Sequence, residues 1–348
     1  MKSKDEVGRR RDERRVIKVK ALTSSRDDPS TRFRVRQFIG PLRELGVEVS
    51  EHYPLISKYR TEPLPLLTML TRLPGLVASR FGDITWLGRE LVSGRNTLEQ
   101  FAGKKRLFDV DDAIWLVYPN AFSEEIALSC DGVIAGNNFL AEHYRECGAR
   151  AWVVPTSVDT EIWRPAPQEG KTNWTIGWTG TWSNLKYLYA VEEPLADFLV
   201  QHQESRLLIV CDRRPQFERI PHASWQFIQW SPETEVCPVQ RMDAGLMPLA
   251  DTEWTRGKCA FKMLSYMASG VPVVASPFGV NEEIFQKAKV GFRATTQDDW
   301  YAALCQLYNE REAAISMGLE GRKIVEEFYS VKKSATMLAR IFEEVAGN

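Results

Sequence analysis

Cysteine is sparse and scattered: Cys130, Cys147, Cys211, Cys237, Cys259 and Cys305 form no C-x-x-C pair. That excludes a disulfide framework and a zinc ribbon, and it fits reduced thiols inside a cell. The four histidines, His52, His143, His202 and His222, share no spacing that points to metal ligation or a catalytic triad. No apolar run reaches the roughly 20 residues that a membrane-crossing helix needs. The first twenty residues carry nine Lys/Arg against four Asp/Glu but no apolar h-region, which argues against a secretory signal. A net charge of −1 leaves no global field to attract nucleic acid, so any anion site must be a local cluster. These absences predict a cytoplasmic protein whose basic tail, 1–15, is a solvated arm or a weak attachment to the inner face of a membrane. Arg72, Arg80, Arg89 and Arg95, interleaved with the apolar stretch 64–76, fit such an attachment.

What is present is an ordinary globular composition, 44% hydrophobic and 26% charged, in 348 residues, a length that favours two domains. Short β-rich runs alternate with helical stretches, the pattern of parallel α/β sheets. Strands are predicted at 16–22, 47–53, 83–87, 105–110, 132–136 and 151–155, with helices at 31–46, 64–80, 94–103, 120–129 and 137–147. A second set has strands at 173–180, 206–212, 224–230, 244–249 and 271–276. Its helices fall at 185–202, 258–270, 297–309 and 311–328, followed by an amphipathic one at 331–345. The stretch 163–172, rich in Pro, Gly and charge, reads as the linker between domains 16–165 and 166–330. Ligands of open α/β sheets bind beyond the carboxyl ends of the strands, which places a site in the cleft between the two domains.

Three clusters carry candidate chemistry. A helix start at Arg256-Gly257-Lys258 would present backbone N–H groups and a positive dipole end, with Lys258 and Lys262 one turn apart. The turn 177–186 holds Gly180, Thr181, Ser183 and Lys186, but it is neither G-x-G-x-x-G nor a P-loop. Asp109, Asp111 and Asp112 cluster at a strand end in the first domain. They either face the cleft and take sugar or acceptor hydroxyls, or cap the next helix, or hold a metal, the last being the weakest reading. Arg32, Arg89 and Asn137 open or follow elements on the same rim; Trp230 is a wall for a nucleobase or a core residue.

The wording of these segments resembles the family-4 glycosyltransferases, of the bacterial group 1 type. The stretch KMLSYMASGVPVVAS (262–276) carries the signature most strongly, with VVPTSVDTEIWRP (153–165), FDVDDAIW (108–115) and GVIAGNNFLAEHY (132–144) in support. The resemblance implies the GT-B fold: two Rossmann-like domains, the first on the acceptor side, the second binding a nucleotide-sugar donor, and a C-terminal helix, 331–348, crossing back. It further implies a retaining, metal-independent transfer with no cofactor. The donor would be a nucleotide sugar, with uridine the commonest base, and the acceptor a saccharide, a lipid-linked sugar or a small molecule. Lys186 fits the family's phosphate lysine, and Lys258 and Lys262 would flank the diphosphate. Thr181 stands where the family usually has arginine, and Gly257 and Ser265 where many members carry two glutamates. Those departures keep two alternatives in view, a non-catalytic binding subunit and a nucleotide-sugar epimerase.

Overall fold

The computed structural model describes residues 15–54, 65–118, 120–167 and 173–347. Most of the basic tail and residues 168–172 of the breaker-rich stretch lie outside them. Two sheets form, each of six strands. The first contains β1 (Ile17–Leu22), β2 (Val47–His52), β3 (Ile84–Gly88), β4 (Arg106–Val110), β5 (Gly132–Ala135) and β6 (Ala151–Val153) in the order β2-β1-β3-β4-β5-β6. The second contains β7 (Trp174–Gly180), β8 (Ser205–Cys211), β9 (Trp225–Gln229), β10 (Ala244–Met247), β11 (Val273–Ala275) and β12 (Gly291–Arg293) in the order β12-β11-β10-β7-β8-β9. Every pairing is parallel, for example Val19↔Ile84 and Phe108↔Val133 in one sheet and Ile176↔Leu207 and Leu246↔Val274 in the other. Parallel strands require helical crossovers on both faces, which is why the central strands read as continuous apolar runs. Each sheet is accordingly sandwiched between two apolar clusters.

Strand order reverses between β1 and β3 in the first sheet and between β7 and β10 in the second. The carboxyl ends flanking those switch points are the natural mouths of a ligand crevice. From β1 and β4 come the loops holding Phe33, Asp111 and Asp112; from β7 and β10 come Asn184 and the segment following Met247. All of these line one cleft between the two sheets.

Some predicted elements take other forms. The stretch 94–103 yields only a single 3-10 turn, Glu99–Phe101. The buried Glu99 carboxylate accepts the N–H groups of Leu91, Thr97 and Leu98, fastening the loop by side-chain bonds in place of helical ones. The predicted 31–46 helix is broken into a π turn (Thr31–Val35), a 3-10 turn (Arg36–Phe38) and an α-helix (Ile39–Glu44). Such wide turns gather at functional sites, and here the first one carries Arg32 and Arg34 into the region of the cleft. β12 is three residues long, too short to show a sequence period.

The helix Val331–Gly347 returns to the first sheet. It buries Leu338, Ile341, Phe342 and Val345 beside β1 and β3, with the Phe342 ring 5.3 Å from Trp86 at an edge-on angle. The chain passes between the sheets at neighbouring points, because Val158 N–H donates to Tyr329 C=O and Val331 N–H donates to Val158 C=O. Phe342 is fully buried, so Phe342→Ala should destabilise the protein by about 3–5 kcal/mol. Chemical denaturation monitored by far-UV circular dichroism checks this; a loss below about 1 kcal/mol would mean that the last helix does not secure the first sheet.

Candidate active site

The segment following β10 is built to meet the other domain. Thr252 caps the short helix Glu253–Arg256 through a reciprocal box with Thr255. Gly257 N–H then donates to Glu253 C=O and Lys258 N–H to Thr255 C=O. The helix start expected at 256–258 is therefore absent: those N–H groups are already used to end the preceding helix. Gly257 has a different purpose, since a Cβ there would lie 2.7 Å from the Ala113 Cβ of the first domain. Asn137 completes the contact. Its side chain caps its own helix by accepting Leu140 N–H at 2.9 Å, and its amide donates to the carbonyls of Gly257 (3.1 Å) and Lys258 (3.3 Å). The Cys259 thiol donates to the Asp111 carbonyl across the same seam. Ala260 then takes φ +54°, a left-handed value that a non-glycine residue holds only under surrounding constraint.

That turn starts the next helix, Phe261–Ala268, whose first turn borders the cleft. Its first intrahelical bond is Leu264 N–H to Ala260 C=O, so the N–H groups of 261–263 precede the ladder, where a helix favours an anion. The cleft has a volume of about 160 Å³ and is bordered by Phe33, Asp111, Asp112, Asn184, Lys258 and Lys262, among others. Phe33 and Phe261 pack against each other there, tilted by 34° with centroids 3.9 Å apart.

The two lysines differ. Lys258 Nζ pairs with Asp112 of the first domain at 2.8 Å and lies 4.4 Å from the Trp254 ring centroid. Lys262 is half-buried, with its ammonium 4.9 Å from the Trp178 ring centroid and, among the described residues, no hydrogen-bond or ion-pair partner. Burial first and then the neighbouring Lys258 push its pKa down to about 7. An amine in that condition favours an incoming anion, which would restore its charge.

The three aspartates also separate. Asp109 is buried and bound by Arg34, Nε to Oδ1 at 2.9 Å, with Trp86 Nε1 donating at 3.2 Å. Burial pushes its carboxyl up against the pull of Arg34. Asp109 thus holds up the floor beneath the site, and the expectation that it faces the cleft is corrected: the guanidinium of the π turn covers it. Asp111 does line the cleft, with Oδ2 held by Ser30 and a buried Oδ1 that has no partner among the described residues. Asp112 lines it as well, paired with Lys258 and 3.8 Å from Arg89.

Residues 174–310 match the family model described as "Glycosyl transferases group 1". Solved structures align over nearly the whole chain: a sucrose-phosphate synthase from Thermosynechococcus elongatus has TM-score 0.72 at 14% identity, covering 95% of this chain and 99% of that one. The Anabaena protein HepE in complex with UDP has TM-score 0.64 at 12% identity, covering 94% and 100%. An E. coli trehalose-6-phosphate structure bound with UDP-2-fluoro glucose has TM-score 0.63 at 12% identity, covering 94% and 99%. No curated protein matches the chain by sequence. The chain therefore has the GT-B fold, and its resemblance to the glycosyltransferases is borne out.

Within this glycosyltransferase fold the remaining candidates take varied places. Lys186 is exposed, its ammonium 5.0 Å from the Tyr187 ring centroid, and stands outside the residues bordering the cleft. Gly180 ends β7; Thr181 is exposed and accepts a hydrogen bond from Asn184, the one residue of that turn that borders the cleft. Ser265 is fully buried and donates to Lys262 C=O, so it faces the core and not the donor; its helix turns that position inward. Arg32 pairs with Glu235 across the domains, Nη1 to Oε2 at 2.9 Å, beside the Trp230 ring. Trp230 packs at that seam, against the Met263–Tyr266 cluster. Arg89, at φ +66°, lies between Glu90 and Asp112.

Sequence reading places Arg34 at a strand end facing the cleft but gives it no role, and it missed Asn184 and Phe33 as parts of the site. It also missed that Glu124, His143 and Cys147 bring an oxygen, a nitrogen and a sulfur within 4.8 Å of one another; the i, i+4 spacing of His143 and Cys147 was the available signal. Trp115 stacks on the His143 ring of this group, with centroids 3.7 Å apart.

The Arg34–Asp109 pair generates a stability prediction. Asp109→Ala leaves a guanidinium buried without its carboxylate and should destabilise the protein by about 3–5 kcal/mol. Thermal or urea unfolding reads this out. Unchanged stability would mean that Asp109 opens into the cleft.

Proposed function

We propose that the protein transfers a sugar from a nucleoside diphosphate sugar to an acceptor hydroxyl bound in the interdomain cleft. The observation that carries this reading is Lys262, a half-buried amine with no anionic partner among the described residues, beside Lys258 and the start of the Phe261–Ala268 helix. Two lysines and the first-turn N–H groups of a helix in a sheltered cleft match a diphosphate better than a neutral ligand. Uridine is the base favoured, since structures of HepE hold UDP and UDP-glucose in the same fold. No cofactor enters this reading; the nucleotide sugar is itself a substrate.

In the reaction the bond from the anomeric carbon to the phosphate oxygen breaks, and its electron pair leaves on the diphosphate. Lys258 and Lys262 meet that growing charge, which is worth more in the transition state than before it. The acceptor oxygen bonds to the anomeric carbon and its proton passes to the departing phosphate, with retention of configuration and no metal. Asp111 Oδ1, buried without a partner among the described residues, and Asp112, at the cleft, would accept sugar or acceptor hydroxyls. Lys186, Gly180 and Thr181 belong to the outer edge of the donor loop, with Lys186 acting through long-range attraction.

Calorimetry and turnover assays test the donor site. With its pKa pushed down to about 7, Lys262 should be mostly neutral at about pH 8, where a terminal phosphate with pKa near 6 is already ionised. Binding of UDP there should take up close to one proton, measured by calorimetry in buffers of different ionisation enthalpy; binding without uptake contradicts the assignment. In turnover assays Lys258→Ala and Lys262→Ala should each lose about 2–4 kcal/mol of transition-state stabilisation, mainly in kcat. Lys186→Ala should mostly raise KM. Turnover should survive saturating EDTA; its abolition and rescue by manganese would instead assign a metal to Asp111 and Asp112.

A further inference from the structure

The helix Pro65–Ser79 wears its side chains in an unusual way. Arg72, Leu76 and Ser79 are buried against the first domain, with Arg72 donating to the carbonyls of Leu91 and Thr23. On the outer face Leu66, Leu70, Leu73 and Val77, together with Phe81 just beyond the helix, are 48–75% exposed. The four helical positions follow i, i+4, i+7, i+11, which places them on one stripe. Scattered exposed leucines need no explanation, but a contiguous apolar stripe along a whole helix does. No helix of the described residues is long and apolar enough to cross a membrane.

The surroundings of the stripe indicate what covers it. None of the fifteen residues of the helix is acidic, although the whole chain holds 46 Asp and Glu. At its carboxyl end the exposed Arg80 and Lys104 lie close together: Arg80 donates to Phe101 C=O, and Gly103 N–H bonds Ser79 Oγ. Arg15, where the described chain begins, reaches the same end and pairs with Asp83. Phe81 and Phe101 stand exposed among these cations. Apolar side chains on one line, aromatic rings and basic groups at its end, and no carboxylate along it match the interfacial zone of an anionic bilayer. A protein partner of ordinary mixed charge has no such need.

We infer that this helix lies in the plane of an anionic membrane surface, with Leu66, Leu70, Leu73, Val77 and Phe81 in the acyl boundary and Arg80 and Lys104 on the headgroups. The surface is distinct from the cleft and does not depend on the sugar-transfer reading. A cavity of about 640 Å³ opens beside it, between Leu70, Thr71, Pro74 and Gly75 of the helix and Leu22, His52 and Tyr53 at the ends of β1 and β2. Seated on a bilayer, the helix would bring that cavity to the lipid surface.

Co-sedimentation of the full chain with vesicles tests this. Vesicles of phosphatidylcholine with phosphatidylglycerol should pellet the protein, pure phosphatidylcholine should retain little of it, and added salt should release it. Leu70→Glu/Leu73→Glu should reduce the bound fraction at least tenfold, and Arg80→Glu/Lys104→Glu severalfold, with melting temperatures unchanged because all four side chains are exposed. Three results overturn the inference. One is wild-type protein that stays in the supernatant with anionic vesicles. The second is Leu70→Glu/Leu73→Glu that binds them as well as wild type, which would assign binding to the basic tail. The third is a dimer by light scattering that this double variant dissociates while vesicle binding is absent, which would make a second copy the occupant.

Discussion

The site depends on one steric constraint: the segment 257–261 of the second domain packs directly on the first. Gly257 leaves no room for a Cβ beside Ala113, and Gly136 is equally crowded, since a Cβ there would lie 2.4 Å from Cys259 Sγ. Around these contacts gather the Asn137 amide, the Cys259 thiol and the Lys258–Asp112 pair. With the backbone fixed that closely, Ala260 is turned left-handed and the Phe261–Ala268 helix starts where its first turn and Lys262 meet the cleft. Had 257–261 been free to pack elsewhere, Lys258 and Lys262 would be two surface cations on an unremarkable loop and helix.

Electrostatics then divides the work between layers. Below the cleft, Arg34 and Asp109 neutralise one another out of solvent, an arrangement that supports shape and leaves no charge for a ligand. At the cleft, Lys258 is shared with Asp112, so a diphosphate entering there competes with a carboxylate already in place. Lys262 has no such partner, and its lowered pKa reflects burial and a like charge together. The Arg32–Glu235 pair adds a second tie between domains at some remove from the lysines, near Trp230. Domain opening would break both ties, and a ligand contacting both sides would offset that loss.

Much of the fold was legible because parallel strands buried on both faces leave plain apolar runs: VIKVKAL, GVIAG and VPVVAS all form strands. The pieces that were not legible are those decided by contacts distant in sequence. Nothing local in Arg256-Gly257-Lys258 reveals that Ala113 claims the space over the glycine, so a helix start was the natural reading. Asp109 looks like its neighbours Asp111 and Asp112 until Arg34, carried inward by a π turn, is seen to cover it. Ser265 and Lys262 sit one turn apart, yet one faces the core and the other the cleft, a difference set by the helix's rotation. By contrast Lys258, Lys262, Asp111 and Asp112 share the cleft, because strand ends at the switch points meet there whatever the loop details.

The most direct measurement of the central claim is a crystal structure of the full chain with UDP bound. The account predicts the diphosphate between Lys258 and Lys262, against the first turn of Phe261–Ala268 and the Gly180–Asn184 loop, with the Lys258–Asp112 pair lengthened and Arg34–Asp109 intact. A diphosphate found elsewhere, for instance over the separate pocket of Arg214, His222 and Trp225, with both lysines untouched, would contradict it.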